Sequence, residues 1–144
     1  MSTSTGWFFW ATLSAVFAAL TAIFAKIGLE GVDSDLATLV RTAIIVFVLG
    51  AFVWLADKWQ NPLLLPGRTL AFLALSALAT GASWVCYFRA LKIGDASRVA
   101  PVDKFSLVLV AIFAFVFLGE RPMAREWIGI ALVAAGVLLL AIRK

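Results

Sequence analysis

The sequence predicts an all-α integral membrane protein with five transmembrane helices, and three observations carry that prediction. Of its 144 residues, 64% are hydrophobic and 14% are charged, against about 45–50% and about 25% in an ordinary soluble domain. Mean hydropathy is +1.06. The apolar residues gather into five blocks, each roughly as long as a hydrocarbon core of about 30 Å requires. With no water in that core to bond exposed N–H and C=O groups, each block must coil into a helix.

The first helix is expected over Trp7–Ala25, an apolar run preceded by Met1–Gly6, which carries no Lys or Arg. A secretory leader would set a basic start against a shorter apolar run, so this one is read as a retained span. The second, Leu36–Ala56, follows the turn and cap residues Gly31-Val32-Asp33-Ser34-Asp35. The third, Leu70–Leu91, follows Asn61-Pro62 and Pro66-Gly67, and the fourth, Val99–Leu118, follows Gly94-Asp95. The fifth, Trp127–Ile142, follows Gly119-Glu120-Arg121-Pro122. Gly, Pro, Asp and Asn of this kind punctuate helices. Residues 1–144 therefore read as one membrane domain without a low-complexity segment or soluble linker.

Composition also excludes. There is no histidine, and the single cysteine, Cys86, lies within an apolar block, so catalytic triads, paired redox cysteines and zinc sites lack their parts. Loops of about six to about thirteen residues are too short to fold a catalytic domain. The chain is read as neither an enzyme nor the holder of a metal or cofactor. Its net charge of +4 comes from scattered residues that fit juxtamembrane anchoring and membrane lipid rather than nucleic acid.

An odd number of spans places the chain ends on opposite sides of the membrane. Face A, that of the N-terminus, then holds Lys58, Arg68, Arg121 and Arg125, while face B holds Lys26, Lys92, Arg98, Arg143 and Lys144. Four against five gives the positive-inside rule almost nothing to decide on. Two readings stay open: dual topology, with copies inserted both ways and paired antiparallel, or one orientation fixed by other features. Trp7, Trp10, Trp54, Trp59 and Trp127 all fall near face A, where indoles favour the headgroup region.

Ionisable groups collect toward face B: Lys26, Arg41, Arg89, Asp103 and Lys104. A carboxylate at Asp103 needs a cation or water, and Arg41 or Arg89 is the expected partner. Lys104 follows directly in sequence and so lies about 100° round the helix, a poor partner. The cluster of Arg41, Arg89, Asp103 and Lys104 reads either as a structural ion pair or as a gate closing one mouth of a central cavity. Pro101 either begins helix four, where its missing donor costs little, or leaves a carbonyl free beside Asp103.

Helix one places Trp7, Trp10, Ser14, Phe17 and Thr21 on one stripe, and helix three offers Trp84, Tyr87 and Phe88 at i, i+3 and i+4. Mixed aromatic and hydroxyl faces suit a cavity for an amphipathic ligand. Core packing explains Phe88 better, which leaves Trp10, Ser14, Phe17, Thr21, Trp84 and Tyr87 as cavity candidates. On helix five Gly129, Leu132, Val133, Gly136 and Leu140 follow one face. Backbones approach closely at such glycines, so Gly129, Leu132, Val133 and Gly136 are candidates for a subunit interface, the alternative being an intrachain groove.

Leu118-Gly119-Glu120-Arg121, the apolar helix from Trp127-Ile128-Gly129 to Gly136, and Tyr87-Phe88-Arg89-Ala90-Leu91-Lys92-Ile93-Gly94 leading to Ala100-Pro101 resemble an EamA-type domain of the drug/metabolite transporter superfamily. The resemblance spans the chain and is strongest from helix three onward. It implies a fold in which the five helices are one half of an inverted repeat, with the other half supplied by another subunit, most simply an inverted copy of this one. It also implies a multi-pass carrier of the cytoplasmic (inner) membrane, moving a small molecule by alternating access. The glycines of helix five further resemble the dimerising last helix of the small multidrug resistance proteins. Those use a glutamate in their first helix, and helix one here contains no acid, which argues against multidrug cation export. The charged Val102-Asp103-Lys104 also departs from the usual apolar start of helix four. The expected function is a homodimeric small-metabolite carrier; the alternatives are a lipid-linked-sugar flippase subunit and a non-transporting membrane assembly factor. Four cations near face B against Asp103 favour an anionic group on the substrate.

Overall fold

The computed structural model describes residues 3–142. Its helices are α1 (Thr3–Gly28), α2 (Ser34–Leu55), α3 (Gly67–Ile93), α4 (Ala96–Asp103), α5 (Ser106–Phe113) and α6 (Ala124–Ala141). Among the described residues, five helical stretches are long and apolar enough to cross a membrane. Arg143 and Lys144, counted above among the face B charges, lie outside the described residues.

Local chemistry sets the ends. Asp33 caps α2, its Oδ1 accepting from the N–H groups of Asp35 at 2.9 Å and Leu36 at 3.1 Å, which satisfies two of the orphan donors of a helix start. Gly31, at φ +72°, makes the left-handed turn that leads into this cap. At the start of α6 the Glu126 carboxylate accepts from the Met123 N–H at 2.6 Å. These caps start α2 and α6 two and three residues earlier than the sequence suggests.

The fourth span departs from a single helix over residues 99–118. It begins at Ala96, breaks after Asp103, resumes as α5 and closes in a π turn over Ala114–Leu118. Pro101 is thus inside α4 and not at its start, which overturns the reading that it begins the helix. Having no N–H to donate, Pro101 interrupts the ladder, and the chain tightens: the N–H of Lys104 bonds the Pro101 carbonyl, and that of Phe105 the Val102 carbonyl, each at 3.0 Å. Gly119, at φ +71°, ends the π turn as the Glu120 N–H returns to the Ala114 carbonyl at 3.2 Å, a left-handed stop open to glycine at no steric cost.

The described chain divides into two compact units, one from α1 up to Ile23 together with residues from Gly94 onward, the other Phe24–Ile93. In the first, α6 packs on α4 and α5, with the rings of Phe115 and Trp127 edge-to-face at 6.2 Å. In the second, α2 packs on α3, and Leu29, Ser34, Thr38, Phe88 and Leu91 are buried. Large apolar side chains elsewhere are exposed, Phe47, Leu55 and Phe117 among them, as surfaces solvated by acyl chains are.

Candidate functional site

The second unit holds a groove of about 580 Å³ between α2 and α3. Along α2 it is lined by Asp35, Thr38, Leu39 and Thr42, and along α3 by Leu73, Ala77 and Val85 together with Ser76, Thr80, Gly81 and Trp84, so most of its wall is apolar. The spacing dictates the lining: residues 35, 38, 39 and 42 fall at i, i+3, i+4 and i+7, while 76, 80 and 84 recur every four residues. Both series occupy one face of a helix. An added Cβ at Gly81 would meet nothing within 4 Å, so the groove is open at that point.

The hydroxyls are oriented by their own helices. Thr38 Oγ1 donates to the Ser34 carbonyl at 2.8 Å, Thr42 Oγ1 to the Thr38 carbonyl at 2.7 Å and Thr80 Oγ1 to the Ser76 carbonyl at 2.9 Å. Each has thereby used its one hydrogen while its oxygen keeps acceptor capacity. A small amphipathic molecule thus finds acceptors and an indole wall rather than a wholly apolar slot.

Asp35 sits at the α2 start of the groove and is held from α3 by Arg89, whose Nε donates to Oδ1 at 2.9 Å and Nη2 to Oδ2 at 2.6 Å. Two parallel N–H···O bonds make this a fork-on-carboxylate pair, the strong and directional form of the contact. The same end of the unit is tied further by lysines: Lys26 Nζ donates to the Leu91 carbonyl at 2.6 Å, and Lys92 Nζ to the Val32 carbonyl. Arg41 is half-buried, its guanidinium carbon 4.2 Å from the centre of the Trp84 ring and 5.2 Å from that of Phe88.

Within the Phe24–Ile93 unit Arg89 pairs with Asp35, and Arg41 is seated on the rings of Trp84 and Phe88. In the other unit Asp103 meets Lys104, with Nζ 3.3 Å from Oδ2, which corrects the expectation that Lys104 is a poor partner. The argument against neighbours in sequence assumes a continuing helix, but Asp103 is the last residue of α4, and the flexible lysine stem reaches back across the break.

Of the cavity candidates, Trp84 lines the groove. Tyr87 is half-buried, its ring 6.3 Å from that of Phe88, and is not part of the lining. Trp10, Ser14 and Phe17 are exposed and Thr21 half-buried along α1; they belong to the first unit. On α6 an added Cβ at Gly129 or Gly136 would meet nothing within 4 Å, and Leu132 is 69% exposed and Val133 39%. Among the described residues no three His, Cys, Asp or Glu side chains come together as a metal site. Sequence reading missed Asp35, Thr38, Thr42, Ser76 and Thr80. The four-residue recurrence of hydroxyls on the second and third helices was the available signal.

Residues 5–142 match the EamA-like transporter family. The chain belongs to that family. A chain of this family that spans the membrane several times is a transporter. Among its relatives is a Sinorhizobium protein described as an uncharacterized transporter in the cobO 3' region, 60% identical over 139 residues that cover 96% of this chain and 99% of the relative. Another, from Yersinia pestis, is described as a probable 4-amino-4-deoxy-L-arabinose-phosphoundecaprenol flippase subunit, ArnE. It is 33% identical over 87 residues, 60% of this chain and 76% of that one. No solved structure matches the chain.

Proposed function

We propose that this EamA-type chain is a secondary carrier that moves a small polar or amphipathic metabolite by alternating access, as an antiparallel homodimer in the cytoplasmic membrane. The α2–α3 groove, with its acceptor rows and the Trp84 wall, is the observation that carries the substrate path. Membrane carriers bind near the junction of paired repeats, and rocking one against the other exchanges access. In this reading the Asp35–Arg89 pair closes one end of the groove, with Arg41, Asp103 and Lys104 in the gating and coupling set. The inverted copy supplies the equivalent closure for the other side. Trp10, Ser14, Phe17, Thr21 and Tyr87 remain candidates for contact with the substrate in this reading.

Two features support the inverted partner. Basic residues balance between the two faces, four against five, which suits insertion both ways. Gly129 and Gly136 lie open on α6 beside exposed Leu132, so close approach of a second backbone is possible there. A second reading, a flippase subunit for a lipid-linked sugar, is favoured by the ArnE-type relative; it needs the groove to admit a headgroup from the bilayer.

Labelling tests the assembly. With Cys86 replaced by serine and one cysteine placed at either chain end, each end is reached by an impermeant maleimide from both sides of intact and opened cells. Labelling of each end from one side alone refutes dual insertion. Uptake into proteoliposomes separates a carrier from an assembly factor, and headgroup translocation identifies a flippase.

A further inference from the structure

Arg41 is the feature of this unit that fold alone does not explain. It lies seven residues beyond Ser34, about 10 Å along α2 at 1.5 Å per residue, within a membrane-spanning stretch. An arginine there is costly unless it is paired or hydrated. Its guanidinium lies over the rings of Trp84 and Phe88 with Tyr87 close by, and within the Phe24–Ile93 unit no carboxylate forms an ion pair with it. Asp35, the acid of the groove, is occupied by Arg89.

Aromatic rings satisfy the face of a guanidinium through cation–π attraction, but its five N–H donors point outward along its edge. The groove walls offer few other donors, since Thr38, Thr42 and Thr80 have turned their hydroxyl hydrogens to their own helix carbonyls. Arg41 is not itself part of the lining but lies over the ring of Trp84, which is, so an anion beside Trp84 comes within reach of one strong, forked donor set. A phosphate suits this half-buried position better than a carboxylate. The fork takes two of its oxygens while the others stay hydrated, whereas a carboxylate has no oxygen to spare.

We propose that Arg41, seated on Trp84, binds the phosphate group of the molecule this chain transports. The proposal rests on the reading of the α2–α3 groove as the substrate path. A lipid headgroup and a water-soluble phosphate ester present the same chemistry, and the test separates them.

The full-length chain is placed in phosphatidylcholine nanodiscs, and direct binding is measured with two radiolabelled probes, a polyprenyl phosphate in the bilayer and glycerol 3-phosphate in the water. Saturable binding of at least one probe is expected, weakened at least about tenfold by Arg41→Gln and several-fold by Arg41→Lys, which keeps the charge and loses the fork. Binding of the polyprenyl probe alone assigns a lipid headgroup; binding of glycerol 3-phosphate alone assigns a soluble ester. Should Arg41→Gln fail to fold by circular dichroism, Arg41→Lys carries the test, since it preserves stem and charge.

Gly81→Phe, whose side chain enters open space in the groove, tells the two readings apart. Loss of binding in Gly81→Phe with full binding in Arg41→Gln, or in Arg41→Lys where that variant stands in, overturns the role of Arg41 and keeps the groove. Loss in the Arg41 variants with full binding in Gly81→Phe keeps Arg41 as a phosphate site and overturns the groove. Failure of both probes to saturate overturns the proposal.

Discussion

The α2–α3 hairpin and the α4–α6 region are built from equally apolar sequence, yet they spend it differently. The hairpin threads Asp35, Thr38, Thr42, Ser76 and Thr80 through its contact face and binds its end with a forked ion pair and two lysine-to-carbonyl bonds. On α6 the stripe from Gly129 to Leu140 carries no polar side chain, and its glycines look onto open space. In a bilayer, apolar contact between helices gains little over contact with lipid, so polar groups mark where the chain must hold or release something. The hairpin holds such groups and α6 does not, and on this difference the proposed function assigns solutes to the one and a second helix to the other.

Bulk placed in the two regions gives the largest contrast. Gly81→Phe is expected to lower transport in proteoliposomes at least about tenfold by filling the groove, while dimers persist. Gly129→Leu and Gly136→Leu should do the reverse, abolishing dimers in a detergent cross-linking assay while leaving the helix content of the chain unchanged; retained dimers move the interface away from α6. Next in size, Asp103→Asn is expected to leave a folded protein with transport impaired a few-fold or uncoupled, and wild-type transport by that variant removes Asp103 from the gating set. The smallest effect belongs to Asp35→Asn. Its partner Arg89 lies substantially exposed, so only a slight fall in the unfolding midpoint is expected, recovered by the exchanged pair Asp35→Arg with Arg89→Asp. No recovery in the exchanged pair indicates that Asp35 contributes more than the pair itself, its negative charge also lying in the first turn of α2.

The five spans were legible because hydrocarbon dictates their length and apolarity, leaving little for tertiary context to override. The break in the fourth was not, although Pro101 was in view: proline opens a helix or interrupts it, and only the start at Ala96 decides which. The Asp35–Arg89 contact joins residues 54 apart, a pairing set by how α2 and α3 lie together and not by any local period. Trp84 stood out because it is far from the tryptophan belt. The hydroxyl rows did not, since threonine and serine bonding back to a helix carbonyl are common in membrane spans, and their significance comes from the facing helix.

So few apolar side chains are buried among the described residues, Ala22, Leu29, Phe88, Leu91 and Val137, that the chain can scarcely owe its cohesion to an interior of its own. Its durability is lent by its surroundings and is repealed when they change. Exchange of bilayer for a short-chain detergent should loosen α4 to α6 before the hairpin, whose polar ties travel with it.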